Sequence, residues 1–457
     1  MKNISLCFLL IITASITHAQ EITGAWNGTL KVGGMQLRLV FNIAKTDSGF
    51  SSTLDSPDQG AKGIPVTSTA FDGSKLKLSV TNSGIEYNAE FRNNIFAGTF
   101  KQNGQTFPLD LSRDSIGKQV VKRPQEPTKP YPYYSEEVSF KNNKANVTLA
   151  GTLTLPAKEG NYPVVVLITG SGPQNRDEEL MGHKPFLVIA DYLTRNGIAV
   201  LRYDDRGTAE STGNFNTATS ADFADDVESA IAYLTTRKEI NKKKIGLIGH
   251  SEGGIIAPMV AARSKDVHFI VLLAGTGIRG DKLLLLQKEK IERQMGIPET
   301  ELAKAQKIIG GAYNIVLNTK PGDTALASNI HTYLKQSAEN KIPEEQINAI
   351  TTQILTPWMI YFLKYDPAPA LEKTTCPVLV MNGDRDLQVP AKENLAAIQN
   401  ALQKGNNKKV MIKEFTDLNH LFQECKTGLP NEYGTIEQTF SPVALHEITD
   451  WIIKQTK

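Results

Sequence analysis

Two hydrophobic rhythms divide the chain. Between residue 21 and about 112, apolar and polar positions alternate: Leu37, Leu39 and Phe41 with Arg38, Val40 and Asn42, then Leu76, Leu78 and Val80 with Lys75, Lys77 and Ser79. A period of two predicts short strands with one buried face. Turn pairs fall between them, at Gly33-Gly34, Asp72-Gly73, Asn82-Ser83-Gly84, Asn93-Asn94 and Asn103-Gly104, and no helical period competes. Residues 20–112 therefore read as a small all-β domain, a barrel or a sandwich, with Trp26 as a core plug.

From residue 135 the pattern becomes solid apolar runs separated by amphipathic stretches. Val147–Leu155 is an early strand. Pro163–Ile168, Ile198–Tyr203, Ile245–Ile248, Phe269–Leu273 and Val378–Met381 are short runs of the type buried on both faces. Helical stretches near 185–195, 221–237, 254–263, 391–403 and 441–454 lie between or after them. Such alternation implies an α/β fold, a parallel sheet covered on both sides. One region breaks the rhythm: 280–365 runs helical before the next strand and reads as a helical cap inserted into the 135–457 domain. Residues 113–134, with Pro124, Pro127, Pro130 and Pro132 among basic residues and tyrosines, fit a stiff linker rather than an interior strand or helix.

Composition narrows the classes. The 457 residues carry 50 Lys+Arg against 48 Asp+Glu, a net charge of +2, which gives no electrostatic footprint for nucleic acid or an acidic membrane. No apolar run reaches the roughly 18–20 residues of a membrane span. Residues 1–19 read as a cleavable signal peptide, with Lys2, the apolar run Leu6–Ile12 and Thr17-His18-Ala19 before Gln20, implying a secreted or periplasmic protein. Cys7 leaves with that segment. An oxidising compartment would permit Cys376 and Cys425 to pair, but they are expected on opposite sides of the sheet, which argues against a disulfide.

The chemistry starts at Gly249-His250-Ser251-Glu252-Gly253, between a predicted strand and a predicted helix. A nucleophile on a tight, strained turn needs small neighbours two residues away on either side, and the strand–turn–helix context suits this G-x-S-x-G elbow. Ser251 needs a base, itself oriented by a carboxylate. Six histidines follow the leader: 183, 250, 268, 331, 420 and 446. His420 lies directly after the last strand, Val410–Phe415, where the order Ser…Asp…His requires the base. His250 flanks the nucleophile but should turn back into the fold, and His446 belongs to the last helix. The carboxylate is expected after Val378–Met381, in Asn382-Gly383-Asp384-Arg385-Asp386-Leu387-Gln388-Val389-Pro390. Asp386 is preferred over Asp384, which would cap the turn or pair with Arg385. Oxyanion donors must be backbone N–H groups: Glu252, and Ser171 or secondarily Gly172 in Thr169-Gly170-Ser171-Gly172-Pro173. That glycine loop lacks the Lys-Ser/Thr of a phosphate-binding loop. Arg206 and the acids of Tyr203–Gly213 are expected to tie their loop to the sheet edge.

With these motifs in place, residues 135–457 resemble an α/β-hydrolase-fold serine esterase, in the group shading into S33 aminopeptidases and dienelactone hydrolases. The matching motifs are Gly170–Pro173, Asp205-Arg206-Gly207, Gly249–Gly254, Gly383…Asp386…Val389-Pro390 and His420. Thr169 stands where a His often precedes the oxyanion glycine, and Ala209 replaces a second glycine of the R-G-x-G-x-S loop. The resemblance implies attack by Ser251 on an acyl carbonyl, proton transfer by His420, orientation by Asp386 and release of an acyl-enzyme by water. It implies no metal or organic cofactor, and no Cys/His cluster has zinc-site spacing.

The expected substrate is a small-molecule ester of small to medium acyl groups, with the cap limiting chain length. An aminopeptidase or amidase on the same triad is the alternative; it would want a cap acid such as Glu289, Glu292 or Glu299–Glu301 at the site. A third reading, of another class, is a non-catalytic binding protein acting through the β-domain. The sequence names no partner for that domain.

Overall fold

Alternation along the sequence becomes alternation in burial. The computed structural model describes residues 21–457 apart from 33–34, 58–60, 103–104, 115–121, 321 and 338–341. The expected leader, with Cys7, lies outside the described residues, as do the pairs Gly33-Gly34 and Asn103-Gly104. Two compact units divide at Val120/Val121.

In the first unit, β1 (Gly24–Val32), β2 (Met35–Thr46), β3 (Gly49–Ser56) and β4 (Ala61–Pro65) form one antiparallel sheet. A second comprises β5 (Ser68–Phe71), β6 (Lys75–Val80), β7 (Ile85–Arg92), β8 (Ile95–Gln102) and β9 (Gln105–Pro108). Along β6, Leu76, Leu78 and Val80 are buried between exposed or half-exposed neighbours, as a one-sided strand requires. Asn93 and Asn94 both take positive φ, 50° and 62°, the geometry of a two-residue hairpin turn. Residues 109–112 stitch the sheets together: Leu111 exchanges backbone hydrogen bonds with Phe96 of β8, and Ser112 with Asn27 of β1. Trp26, 1% exposed, fills the core between them, its Nε1–H donating to the Ile22 carbonyl at 2.7 Å.

The second unit is built on an eight-stranded sheet in the order β10-β11-β13-β12-β14-β15-β16-β17. Its strands are β10 (Tyr134–Asn142), β11 (Val147–Leu155), β12 (Tyr162–Ile168), β13 (Ala199–Tyr203), β14 (Ile240–His250), β15 (Phe269–Leu273), β16 (Val378–Gly383) and β17 (Val410–Phe415). The first two pairings are antiparallel and the rest parallel. Every residue of β13, β15 and β16 is buried, because helices cover both faces. Val164, Val166 and Ile168 of β12 join one apolar cluster with α2 (Ser220–Thr236), α3 (Gly253–Ala261) and α10 (Ala391–Lys404), while Val165 and Leu167 join the other with α1 (Pro185–Arg195) and α11 (Pro442–Thr456).

Between β15 and β16 the chain leaves the sheet for α4 (Gly280–Gln294), α5 (Glu299–Asn318), α6 (Leu326–Ser337), α7 (Glu344–Ile354) and α8 (Pro357–Lys364), then returns through α9 (Ala368–Lys373). These helices have an apolar core of their own, including Ala312, Val316, Ile330, Leu334 and Leu363. A second small cluster joins Leu283 of α4 and Phe362 of α8 to Ile255 of α3 and Val389. No helix among the described residues is long and apolar enough to cross a membrane.

The described residues from 122 onward in the Pro-rich stretch are held by the rest of the second unit. Arg123 donates to the carbonyls of Met181, Gly182, Gly434 and Ile436, and Gln125 bonds the backbone of Thr439 and Phe440. Cys376 and Cys425 are free thiols, each pushed up to about 11 by burial.

Candidate active site

Strand β14 delivers the chain to Ser251 and α3 carries it away, so the serine sits at an abrupt corner. Its φ is 54°, a left-handed conformation that costs a residue with a side chain on the order of 1–3 kcal/mol. Packing holds it there: Ser251 N–H donates to the Leu273 carbonyl at 2.9 Å and its own carbonyl accepts Gly254 N–H at 3.0 Å. Glycine is needed on both sides. A Cβ on Gly249 would lie 2.0 Å from the Gly253 carbonyl oxygen, and one on Gly253 would lie 2.2 Å from that of Ile168.

Asp386 and His420 arrive on the loops after β16 and β17, which the parallel pairing of those strands sets side by side. His420 Nδ1 lies 2.8 Å from Asp386 Oδ2. The other carboxylate oxygen accepts the N–H groups of Gln388 and Val389, each at 2.8 Å. Asp386 is 2% exposed and His420 4%. An oxygen saturated by two backbone donors leaves its partner oxygen aimed at the imidazole, which fixes the tautomer with hydrogen on Nδ1 and a free lone pair on Nε2. The His420 loop is a side-chain-capped turn: Asn419 Oδ1 accepts Leu421 N–H at 2.9 Å and Gln423 N–H at 3.0 Å. Ser251 Oγ and His420 Nε2 make no hydrogen bond within the described chain.

The loop 169–174 lies against the serine, since a Cβ on Gly170 would come 3.2 Å from Ser251 Cβ. Gly172 has φ 95°. None of the N–H groups of Ser171, Gly172 and Glu252 donates within the described chain. The Glu252 side chain turns elsewhere. Its Oε1 accepts Ser220 Oγ–H at 2.5 Å and Trp358 Nε1–H at 2.8 Å, and burial raises its pKa.

Of the two roles expected of Asp384 it takes the capping one, accepting Asp417 N–H of the neighbouring turn at 2.8 Å, while Arg385 pairs with Asp417. One expectation changes. Arg206 reaches past the sheet edge to helix α2, gripping Asp226 through two bonds of 2.7 and 2.8 Å. The edge is braced instead by Arg176, which joins Asp204 and Glu210 to Glu137 of β10.

Sequence reasoning passed over two groups. Asp205, named before only as part of the Asp205-Arg206-Gly207 motif, spans the glycine loop, accepting Thr169 Oγ1–H at 2.8 Å and Gln174 N–H at 2.9 Å; its place two residues beyond the end of β13 was the available signal. Glu178 accepts Gly170 N–H at 2.7 Å and contacts His250, and no spacing pointed to it. His250 does turn inward. His183 is buried among Thr439, Tyr433 and Gln423, and His446 is exposed on α11 beside Asp450. An open cleft of about 770 Å³ lies by Arg385, Asp417, Cys425 and Val443; none of Ser251, Asp386 and His420 lines it.

A mixed sheet of this order, with a serine at the strained turn after β14 and helices on both faces, has the architecture of an α/β-hydrolase. Residues 184–423 match the model of a family described as serine aminopeptidase, S33, and the chain belongs to that family. Esterase EstD of Thermotoga maritima is 28% identical over 334 residues, covering 71% of this chain and 70% of that protein. An uncharacterized 31.7 kDa protein of Escherichia coli is 24% identical over 53% of this chain and 80% of its own. Among solved structures, an esterase of Pyrococcus furiosus aligns with TM-score 0.44 at 14% identity, covering 75% of this chain and all of that one.

Proposed function

We propose that the protein is an exported carboxylesterase that cleaves small to medium acyl esters through Ser251, His420 and Asp386. The observation that carries this reading is the His420–Asp386 contact of 2.8 Å, with the second Asp386 oxygen fully occupied by backbone donors. In the proposed cycle His420 Nε2 takes the Ser251 proton as Oγ attacks the ester carbonyl. The N–H groups of Glu252 and Ser171, with Gly172 as the alternative, receive the developing oxyanion. His420 returns the proton to the leaving alcohol, and the same base then activates water against the acyl-enzyme. The leader-like opening at residues 1–19 supports export.

The family's name keeps the aminopeptidase reading alongside. The ester reading is favoured by the esterase relative and by the cap acids. Glu289 and Glu299 both pair with Arg293, and Glu292 pairs with Lys288, so three of the carboxylates that could read a substrate amine already have cationic partners.

The test is hydrolysis of p-nitrophenyl esters from acetate to laurate and of aminoacyl-nitroanilides, by the wild type and Ser251→Ala. Ester turnover lost in the variant supports the proposal and reports the acyl-length preference. Faster Ser251-dependent turnover of the anilides would move the answer to the aminopeptidase. Absence of Ser251-dependent turnover on both would overturn the triad and turn attention to the β-domain.

A further inference from the structure

The ring next to the nucleophile takes no part in the triad, yet both its nitrogens are engaged. His250 is 6% exposed. Its Nε2 lies 2.9 Å from the His420 carbonyl oxygen. A carbonyl can only accept, so Nε2 carries hydrogen. Its Nδ1 lies 2.9 Å from Glu178 Oε1, the oxygen that also accepts Gly170 N–H at 2.7 Å. A backbone donor on a carboxylate oxygen favours the ionised form, and between a carboxyl and an imidazole the proton belongs on the more basic imidazole. Nδ1 therefore carries hydrogen as well.

The surroundings reinforce this. The crevice around the pair is walled by Pro185, Phe186, Ile189, Leu273, Leu421 and Phe440 and leaves no room for a water molecule, so solvent cannot substitute for either partner. The charged and titratable groups facing the ring are Glu178, Asp386 and His420. Burial alone pulls the imidazole down, but Glu178, helped by the His420 carbonyl and Asp386, outweighs it and raises the pKa above the ordinary histidine value.

Mechanically, this pair connects two loops that the proposed reaction needs held together. Glu178 grips the start of the glycine loop at Gly170, and His250 grips the backbone of His420. We propose that Glu178 and His250 form a carboxylate–imidazolium strut beneath Ser251 that sets the oxyanion loop and the base loop in one geometry. Both are positioning residues. Their role in turnover rests on the triad reading above, whereas the double protonation of His250 does not.

Two readouts on the full chain test this. Ring ¹⁵N spectra of histidine-labelled protein, followed as pH rises through the ordinary histidine pKa, should show one ring that holds both protons above that value. His250→Gln should delete that ring's signals, and Glu178→Gln should convert it to a neutral ring. Turnover of p-nitrophenyl butyrate should lose roughly 10²-fold in kcat in both variants, with KM held within about threefold, the pattern of misplaced reacting groups. Should His250→Gln fail to fold, Glu178→Gln keeps an acceptor for Gly170 N–H and carries both readouts. A neutral His250 in the wild type overturns the strut. Unchanged kcat, or a change confined to KM, overturns the positioning role. Absence of Ser251-dependent turnover in the wild type removes the triad reading and the positioning role with it, and the ring spectrum still decides the strut.

Discussion

Thr169 Oγ1 donates to Asp205 Oδ1 at 2.8 Å, and the second oxygen of the same carboxyl receives Gln174 N–H at 2.9 Å. One buried side chain thus pins both ends of the loop that carries Ser171 and Gly172. Burial raises the Asp205 pKa well above the carboxylate range, with Glu252 and Glu178 adding to the shift, so each donor matters to its hold. Thr169→Val keeps the shape and removes the hydroxyl. The expected result is a loss of about 1–3 kcal/mol in urea unfolding, since a buried acceptor is left short of a donor. A kcat roughly tenfold lower on p-nitrophenyl esters should accompany it, through a looser oxyanion loop. A variant with wild-type kcat would show that Asp205 does not set that loop.

Asp386→Asn tests the orienting role. Asparagine keeps a carbonyl oxygen for the Gln388 and Val389 N–H groups, which turns its NH₂ toward His420 Nδ1. That donor forces hydrogen onto Nε2, the nitrogen that accepts the serine proton in the proposed cycle. By the scale known for such triads, kcat should fall by about 10⁴-fold at an unaltered thermal midpoint. A loss of less than about tenfold would mean that His420 is not held through Asp386.

Much of this site was legible because its parts are local. An apolar run, a turn with glycines at both flanks and an apolar helix place Ser251 within a dozen residues. Val410–Phe415 followed at once by Thr416-Asp417-Leu418-Asn419-His420 places His420 in the same way, and the strand has those bounds. What escaped depends on side chains meeting from distant segments. Arg206 could have served several acids, and only the packing of α2 against the sheet brings Asp226, twenty residues on, within 2.7 Å of its Nε. Glu178 sits among Asp177 and Glu179 with nothing in its spacing to single it out. In the structure it takes φ 50°, and its carboxyl is the one of the three that bonds Gly170 and His250.

His183 predicts acid sensitivity with a definite sign. Burial lowers its pKa from 6.5 to about 4, so it is folded as the neutral ring, bonded to the Tyr433 carbonyl and Thr439. Below its unfolded pKa the unfolded chain takes up a proton that the folded one refuses. Stability from this site is therefore complete above pH 6.5 and is lost as pH falls toward 4, by about 3 kcal/mol in total. Urea midpoints measured across that window should decline, and His183→Gln should flatten the decline. An equal slope in the variant would assign the acid sensitivity to other groups.

The link between cap and elbow makes the last prediction. Trp358 of α8 donates its indole N–H to Glu252 Oε1 at 2.8 Å, on the same oxygen that receives Ser220 Oγ–H. Ser220 opens α2, so the carboxylate also lies near the positive end of that helix. Trp358→Phe removes one donor from a buried carboxylate and keeps most of the ring packed on Phe362. A hydrogen bond to a charged group is worth about 1.5–3 kcal/mol, and losing it should lower unfolding stability by that amount. Glu252→Met, which removes the acceptor at similar size, in the Trp358→Phe background should then cost less than it does alone. The cycle separates the hydrogen bond from the packing change, because each single substitution breaks the same contact. Additive losses would mean that the cap rests on the elbow through apolar contacts alone, and that the indole–carboxylate bond contributes nothing to holding it.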